Sequence, residues 1–309
     1  MKGVLIASFN RPANTRILLE KSLKSGSENI FIHIDGQPMG AKNQGVVESY
    51  QILFQNYAND SRVNFWIRDE NNGAAGAITD AISWAFQFVE ELLILEDDLE
   101  VNAELFSLTW KILEQFRGDP KYSSFSAFNP FRSSNNGNLL FASHISQTWG
   151  WATWKSNWEQ FVDARMSWGS GNQYRELIDN TPFLNATEKK FWKLRIDEIQ
   201  SFPRHIWDFQ WLIFNLVNCR FALYPSQSLS GNNGFNRSAT LRVRRRKLYM
   251  PKLENVYKSD VDKPFFLDVK LIDSEILGRY YRVNFLWPLN ENARKYLRKG
   301  FIKLKFIRI

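Results

Sequence analysis

One cysteine, Cys219, and three histidines, His33, His144 and His205, are all that this chain of 309 residues holds of the usual soft-metal ligands. A lone thiol excludes an internal disulfide framework and cannot build a thiolate metal site by itself. The histidines have no ligand spacing, and His33, inside an apolar run, reads as structural. A reducing compartment follows as the natural setting. No stretch approaches the ~20 apolar residues of a membrane span. Met1-Lys2-Gly3 passes straight into Val4-Leu5-Ile6-Ala7, too short an apolar region for a secretory leader. The expected location is therefore cytoplasmic, or peripheral on the inner face of the cytoplasmic membrane. No Gly-x-x-x-x-Gly-Lys-Ser/Thr loop occurs, and Gly-x-Gly-x-x-Gly does not follow the first apolar run. P-loop and dinucleotide readings are both weak, and the chain has no internal repeat.

What is present is an apolar fraction of 44%, ample for the core of one large or two ordinary domains, and an unusual aromatic load of 12 Trp and 25 Phe. Such rings suit sites that stack on sugars or bases, although most aromatics in any protein are core. The net charge of +8 is uneven. From residue 241 onward there are 18 Lys plus Arg against 7 Asp plus Glu, a net +11, so residues 1–240 carry a net −3. A neutral body with a basic appendage points to a catalytic domain over 1–240 and a separate docking extension over 241–309, and disfavours nucleic acid as the partner.

The first half alternates strand and helix signals. Strands are expected at Lys2–Ser8, Ile30–Ile34, Val63–Ile67 and Leu92–Leu95, and helices at Asn14–Lys24, around Lys42–Asn56 and at Ala74–Val89. This order predicts an α/β fold with a mainly parallel sheet flanked by helices. Ligands of such sheets bind beyond the carboxyl ends of the strands, where Asn10-Arg11, Asp35-Gly36, Asn72-Gly73 and Glu96-Asp97-Asp98 all fall. The second half is less regular. It offers the aromatic segment Trp149–Trp154, helices at Thr187–Gln200 and Asp208–Asn218, a strand at Arg220–Tyr224 and the polar loop Ser230–Asn236.

Glu96-Asp97-Asp98 emerges directly from the branched apolar run Leu92-Leu93-Ile94-Leu95. Three like charges at a buried strand's exit repel one another, and a hard divalent cation is the obvious remedy. Mg²⁺ or Mn²⁺ usually takes one or two carboxylates and completes its shell with water and substrate phosphates, so the cluster hints at a phosphate-bearing substrate. The plainer reading is a solvated acidic turn.

In their order along the chain, three segments resemble those of nucleotide-sugar-dependent glycosyltransferases of GT-A (Rossmann-like) fold. They are Ile94–Val101, Gln147–Trp154 and Trp207-Asp208-Phe209-Gln210-Trp211. The closest branch holds bacterial family 2-like sugar transferases and N-acetylglucosaminyltransferase I, and the resemblance runs over residues 1–242. It implies a divalent-metal-assisted, inverting transfer from a nucleotide sugar, a UDP-sugar above all, to a glycan or lipid-linked glycan acceptor, as in bacterial surface polysaccharide synthesis. It gives Asp98 the metal, and Glu96 and Asp97 contacts with ribose, donor sugar or metal-bound water. Ser8, Asn10 and Arg11 then line the nucleotide pocket, Asp35 accepts from the base, and Asn72 and Gly73 approach the diphosphate. The general base is Asp208, and the donor and acceptor pocket is shaped by Trp149, Gly150, Trp151, Trp207, Asn233 and Gly234.

Each of these residues also has a plain structural reading. Arg11 serves equally as a surface Arg, Asp35 as the turn residue before Gly36, Asn72 as a helix cap, and Asp208 as an N-cap whose pKa is raised by burial and lowered by the helix terminus. Trp154 and Trp158 read as core. One departure stands out: no histidine follows Asn233-Gly234-Phe235-Asn236, so metal affinity is expected to be weak or donor-dependent, or Arg237 or Arg242 supplies charge to the diphosphate. The extension concentrates charge in Arg242–Lys247 and Arg294–Arg308, with apolar residues interleaved. An amphipathic element on an anionic membrane surface competes there with a tail packed on the body. Two rival functions share the acidic site: a sugar nucleotidyltransferase, and a non-catalytic glycan- or nucleotide-binding module.

Overall fold

The structure, a computed structural model, describes residues 1–36, 44–129, 139–166, 172–201, 207–233 and 268–271. Gly234, Arg237, Arg242 and nearly all of the basic extension lie outside the described residues. Strand β1 (Lys2–Ser8) leads through α1 (Pro12–Lys24) to β2 (Ile30–Ile34), and α2 (Gln44–Tyr57) leads to β3 (Val63–Ile67). Helix α3 (Gly73–Ala85) then returns the chain to β4 (Glu91–Glu96). These are right for a parallel sheet because each strand is a short apolar run closed by a turn signal.

After β4 come β5 (Leu99–Val101), α4 (Glu104–Gln115), β6 (Tyr122–Ser126), β7 (Leu139–Ser143) and β8 (Trp151–Trp154). Four helices follow, α5 (Lys155–Met166), α6 (Asn172–Asn180), α7 (Ala186–Ser201) and α8 (Trp207–Val217), and then β9 (Phe221–Pro225), β10 (Ser230–Asn232) and β11 (Asp268–Leu271). The main sheet runs β11-β7-β9-β6-β8-β4-β1-β2-β3, while β5 and β10 form a separate two-stranded sheet. Pairs β1–β2, β1–β4, β2–β3, β6–β9 and β7–β11 are parallel. Strand β8 runs against both β4 and β6, and β7 against β9. The fold is thus α/β, with a large, mostly parallel sheet between helices, as the strand-helix order implies.

Strand alternation divides the core. Val4, Ile6, Leu93 and Leu95 pack with α1, α2 and α4. Leu5, Ala7, Leu92 and Ile94 face α3, α5 and α8. A third apolar cluster joins α6 and α7 to α8. The helix expected to reach Val89 stops at Ala85, where Gln87 N–H bonds the Trp84 carbonyl and Phe88 N–H the Ala85 carbonyl, tightening the chain into a turn. Val89 is still buried against the same cluster, which explains why the helical spacing extended to it.

Candidate active site

The alternation of β4 sorts the acidic triplet. Leu92 and Ile94 face α3 and α8, so Glu96 continues on that side, and Asp97 turns toward α1. The Asp97 carboxylate is fully engaged there. Its Oδ2 accepts from the backbone N–H groups of Phe9 at 2.7 Å and Asn10 at 3.2 Å, and its Oδ1 accepts from Arg11 Nη1 at 2.7 Å. Asn14 Nδ2 donates to the Asp97 carbonyl at 3.1 Å. Asp97 is therefore a buried brace for the β1 exit loop. Ser8 behaves likewise: its hydroxyl lies 2.9 Å from that of Thr15, which is 3.3 Å from Tyr50 OH. Burial, and behind it the Asp97 charge, push the Tyr50 phenol up, keeping it neutral.

On the other side, Glu96 has like charges for company. Burial, then Asp98, Asp208 and Asp97, push its carboxyl well up, with Arg11 opposing. Glu96, Asp98 and Asp208 are each only partly covered. Asp98 is also raised, chiefly by burial; Arg11, whose Nη1 lies 3.9 Å from its Oδ2, and a hydrogen bond from the Asn232 side chain pull the other way. Asp208 stands in the first turn of α8. Burial raises its pKa, and the backbone N–H groups of Phe209 and of Asp208 itself only partly offset that. The contest between burial and the helix terminus, open in the sequence, goes to burial.

The neighbouring strand exits close around this edge. Asp35 N–H bonds the Ser8 carbonyl, and the Asp35 carboxylate accepts from Asn71 Nδ2 at 2.9 Å and Asn72 N–H at 3.0 Å. A Cβ on Gly36 would lie 2.2 Å from the Glu70 carbonyl carbon, so only glycine lets the two loops meet. Asn72 does not cap α3; its amide donates to Asp80 instead, at 2.8 Å. Gly73, at φ 71°, opens the helix.

Trp151 and Trp207 stack on one another 5.8 Å apart, and Trp151 is 1% exposed among Trp158 and Trp211. Both are buried, and they lie beneath Asp208, the next residue after Trp207. Trp149 is partly exposed and leans on Phe128. Gly150, at φ 72°, packs its Cα against Ser230, and a Cβ there would meet Ser230 Cβ at 3.2 Å. Trp154 and Trp158 are core, as their spacing implied. His33 is buried against Trp66.

Two features escaped sequence reasoning. Asn232, at the end of β10, comes to lie beside the triplet because β10 pairs with β5 directly after it, Asn232 opposite Leu99. Asn14 sits in the first turn of α1. Neither carries a sequence signal, since an Asn in a Gly/Asn-rich loop or at a helix start has an ordinary local explanation.

The fit to a divalent cation rests on the donor set: Glu96 and Asp98 offer hard, partly open oxygen donors whose charge burial disfavours and a cation would compensate. Among the described residues no group of three or more His, Cys, Asp and Glu could by itself hold a metal ion. The chain would thus supply part of a coordination shell.

No family model matches the chain, and no curated protein matches it. Among solved structures it is similar to one described as a glucose-1-phosphate thymidylyltransferase from Bacillus anthracis in complex with a sucrose. That match has 14% identity and a TM-score of 0.32 over 63% of this chain and 83% of the other. It is also similar to a mannose-1-phosphate geranyltransferase from Thermus thermophilus, at 8% identity and a TM-score of 0.38 over 74% of this chain and 75% of that one. Likeness at these scores carries no argument about activity, which has to be read from the residues.

Proposed function

We propose that the chain is a glycosyltransferase that moves a hexosyl or N-acetylhexosaminyl group from a nucleotide sugar, a UDP-sugar first among them, to a hydroxyl of a glycan or lipid-linked glycan. The observation that carries this reading is the meeting of Glu96 and Asp98, from the exit of β4, with Asp208, from the start of α8: carboxylates from distant parts of the chain, each raised in pKa and partly open. Raised carboxyl groups poised for proton transfer mark functional sites. The resemblance of the three sequence segments supplies the substrate class.

In this reading Asp208 accepts the proton of the acceptor hydroxyl. The acceptor oxygen bonds to the anomeric carbon from the face opposite the departing group, and the nucleoside diphosphate leaves with the electron pair of the broken C–O bond, inverting the configuration. Mn²⁺ or Mg²⁺, held by Asp98 with Glu96 beside it, would neutralise charge developing on the diphosphate. Arg11 and the Asn72-Gly73 turn lie at the same sheet edge and suit the donor's phosphates, Asp35 its base, and Trp149 and Asn233 the sugar side. The extension over 241–309 would dock the enzyme near lipid-linked acceptors at an anionic membrane surface in bacterial surface polysaccharide synthesis; among the described residues no helix is long and apolar enough to cross a membrane.

The test is transfer from a panel of nucleotide sugars with Mn²⁺, alongside thermal-shift binding of the same donors. Asp208→Asn should abolish transfer and keep the donor-induced shift. Retained turnover would remove Asp208 as base, pyrophosphate release from a nucleoside triphosphate would favour a nucleotidyltransferase, and donor binding without transfer or hydrolysis would favour a binding module.

A further inference from the structure

We infer that Trp151 is a positioning residue for Asp208, holding the first turn of α8 in place beside the β4 exit; the inference rests on the general-base role given to Asp208 above. Strand register supplies one side of the link. Trp151 opens β8 opposite Ile94 of β4, and the two share the sheet face on which Glu96 follows two residues later. Ring packing supplies the other side. Trp151 stacks on Trp207, with centroids 5.8 Å apart and planes 29° from parallel, and meets Trp211 at 5.2 Å. Trp207 and Trp211 stand one turn apart on α8, so a single indole fixes both the position of the helix along its axis and its rotation. Asp208 follows Trp207 directly and is carried by that pair of contacts. Behind them, Trp158 lies 6.4 Å from Trp151 and 5.9 Å from Trp211, and is itself held by its indole N–H to Ser83 Oγ at 2.9 Å.

Stability alone does not account for an indole at this position. Trp151 is 1% exposed and Trp211 fully buried, and neither Nε1 has a hydrogen-bond partner among the described residues. A buried unpaired donor costs stability, and a phenylalanine would carry none. What the indole adds is reach, since its two fused rings cover Trp207 and Trp211 together. A residue that breaks a local rule in this way is expected where the fold serves a site. The gain is in placement: a base must lie within hydrogen-bond reach of the hydroxyl it deprotonates, and a misplacement of about 1 Å costs about 100-fold in rate.

The experiment measures UDP release from UDP-glucose, UDP-galactose, UDP-N-acetylglucosamine and UDP-N-acetylgalactosamine with Mn²⁺ on wild type, Trp151→Phe, Trp151→Leu, Trp207→Leu and Asp208→Asn. Turnover is expressed per UDP-binding site, counted by calorimetric titration, and folding is followed by circular dichroism melting. Trp151→Phe should melt close to wild type, bind UDP with unchanged affinity and turn over about 10- to 100-fold more slowly per site. Trp207→Leu breaks the same stack from the other side and should do the same, and it carries the test together with Trp151→Phe if Trp151→Leu does not fold. Wild-type turnover per site in a folded Trp151 variant overturns the inference. So does an activity loss that only follows the loss of UDP-binding sites, which is the mark of a merely structural residue. If Asp208→Asn keeps full turnover, the base reading falls and takes the inference with it; if Asp208→Asn is inactive while Trp151→Phe is unaffected, the inference falls alone.

Discussion

The two sides of the β4 exit treat the same side-chain chemistry in opposite ways. Toward α1, Asp97 is buried and each carboxylate oxygen has a donor, two backbone N–H groups and the Arg11 guanidinium. Toward α8, the charges of Asp98 and Asp208 add to burial in pushing the Glu96 carboxyl up, and Asp98 and Asp208 are themselves raised chiefly by burial. The first arrangement is what a stable fold asks of a buried charge. The second costs stability, and a fold tolerates it where a ligand or a proton transfer uses it. Adjacent positions in one motif thus divide between a satisfied brace and an unmatched acidic edge, and the difference follows from which face of a strand each residue occupies.

If the division is real, substitutions on the two sides must fail in different assays. The largest expected effect is on the α8 side: Asp208→Asn should lower the turnover number by roughly 10²- to 10⁴-fold with little change in melting temperature, measured as sugar transfer under saturating Mn²⁺. Asp98→Ala should lose transfer comparably, and full activity in that variant would end the metal assignment. On the α1 side Asp97→Ala should instead unfold the β1 exit loop, costing about 3–5 kcal/mol because it strands Arg11 and two amides. Urea denaturation reads this directly, and a stable but inactive Asp97→Ala protein would place Asp97 with the chemistry after all.

Much of the parallel half was legible. Strands β1, β2 and β3 fall at the expected residues, since short branched runs bounded by turns permit few other structures. The antiparallel half was not, and β6 explains why. Tyr122-Ser123-Ser124-Phe125-Ser126 shows no apolar run, yet its serines are fully buried, their hydroxyls bonded sideways, as Ser126 Oγ is to the Gln147 carbonyl. The polar loop expected at Ser230 begins as strand β10 for the same reason: its pairing with β5 is a tertiary event. At the β4 exit, the facing of the side chains was not readable. Asp97, Ser8, Trp151 and Trp207 belong to the right neighbourhood and turn inward, and only the strand register decides that.

A buried histidine on β2 gives the comparison a pH axis. His33 is buried beside Trp66, its Nε2 has no hydrogen-bond partner among the described residues, and burial, with Arg68 adding to it, lowers its pKa from 6.5 to about 4. The folded state thus resists a proton that the unfolded chain accepts. Its contribution is fully present above pH 6.5 and is lost as pH falls through about 4, a change of about 3 kcal/mol. His33→Phe should flatten that limb of the stability–pH curve. An unchanged slope between pH 6.5 and 4 would show that His33 titrates normally.

The smallest effect discriminates best, because its sign opposes intuition for an acidic motif. Glu96→Gln keeps the size of the side chain and removes a charge that burial, Asp98 and Asp208 all disfavour. Without metal, the variant should therefore be more stable than wild type, by about 0.5–2 kcal/mol, the usual gain when a strained functional position is relaxed. The matching change on the other side, Asp97→Asn, should destabilise, since it replaces a carboxylate that accepts from Arg11 and two amides. Chemical denaturation of both variants in chelator gives the pair of signs. Opposite signs confirm that one strand exit holds a matched brace and an unmatched site side by side; a Glu96→Gln protein less stable than wild type would mean that Glu96 has a stabilising partner and that the repulsion is not what sets this edge apart.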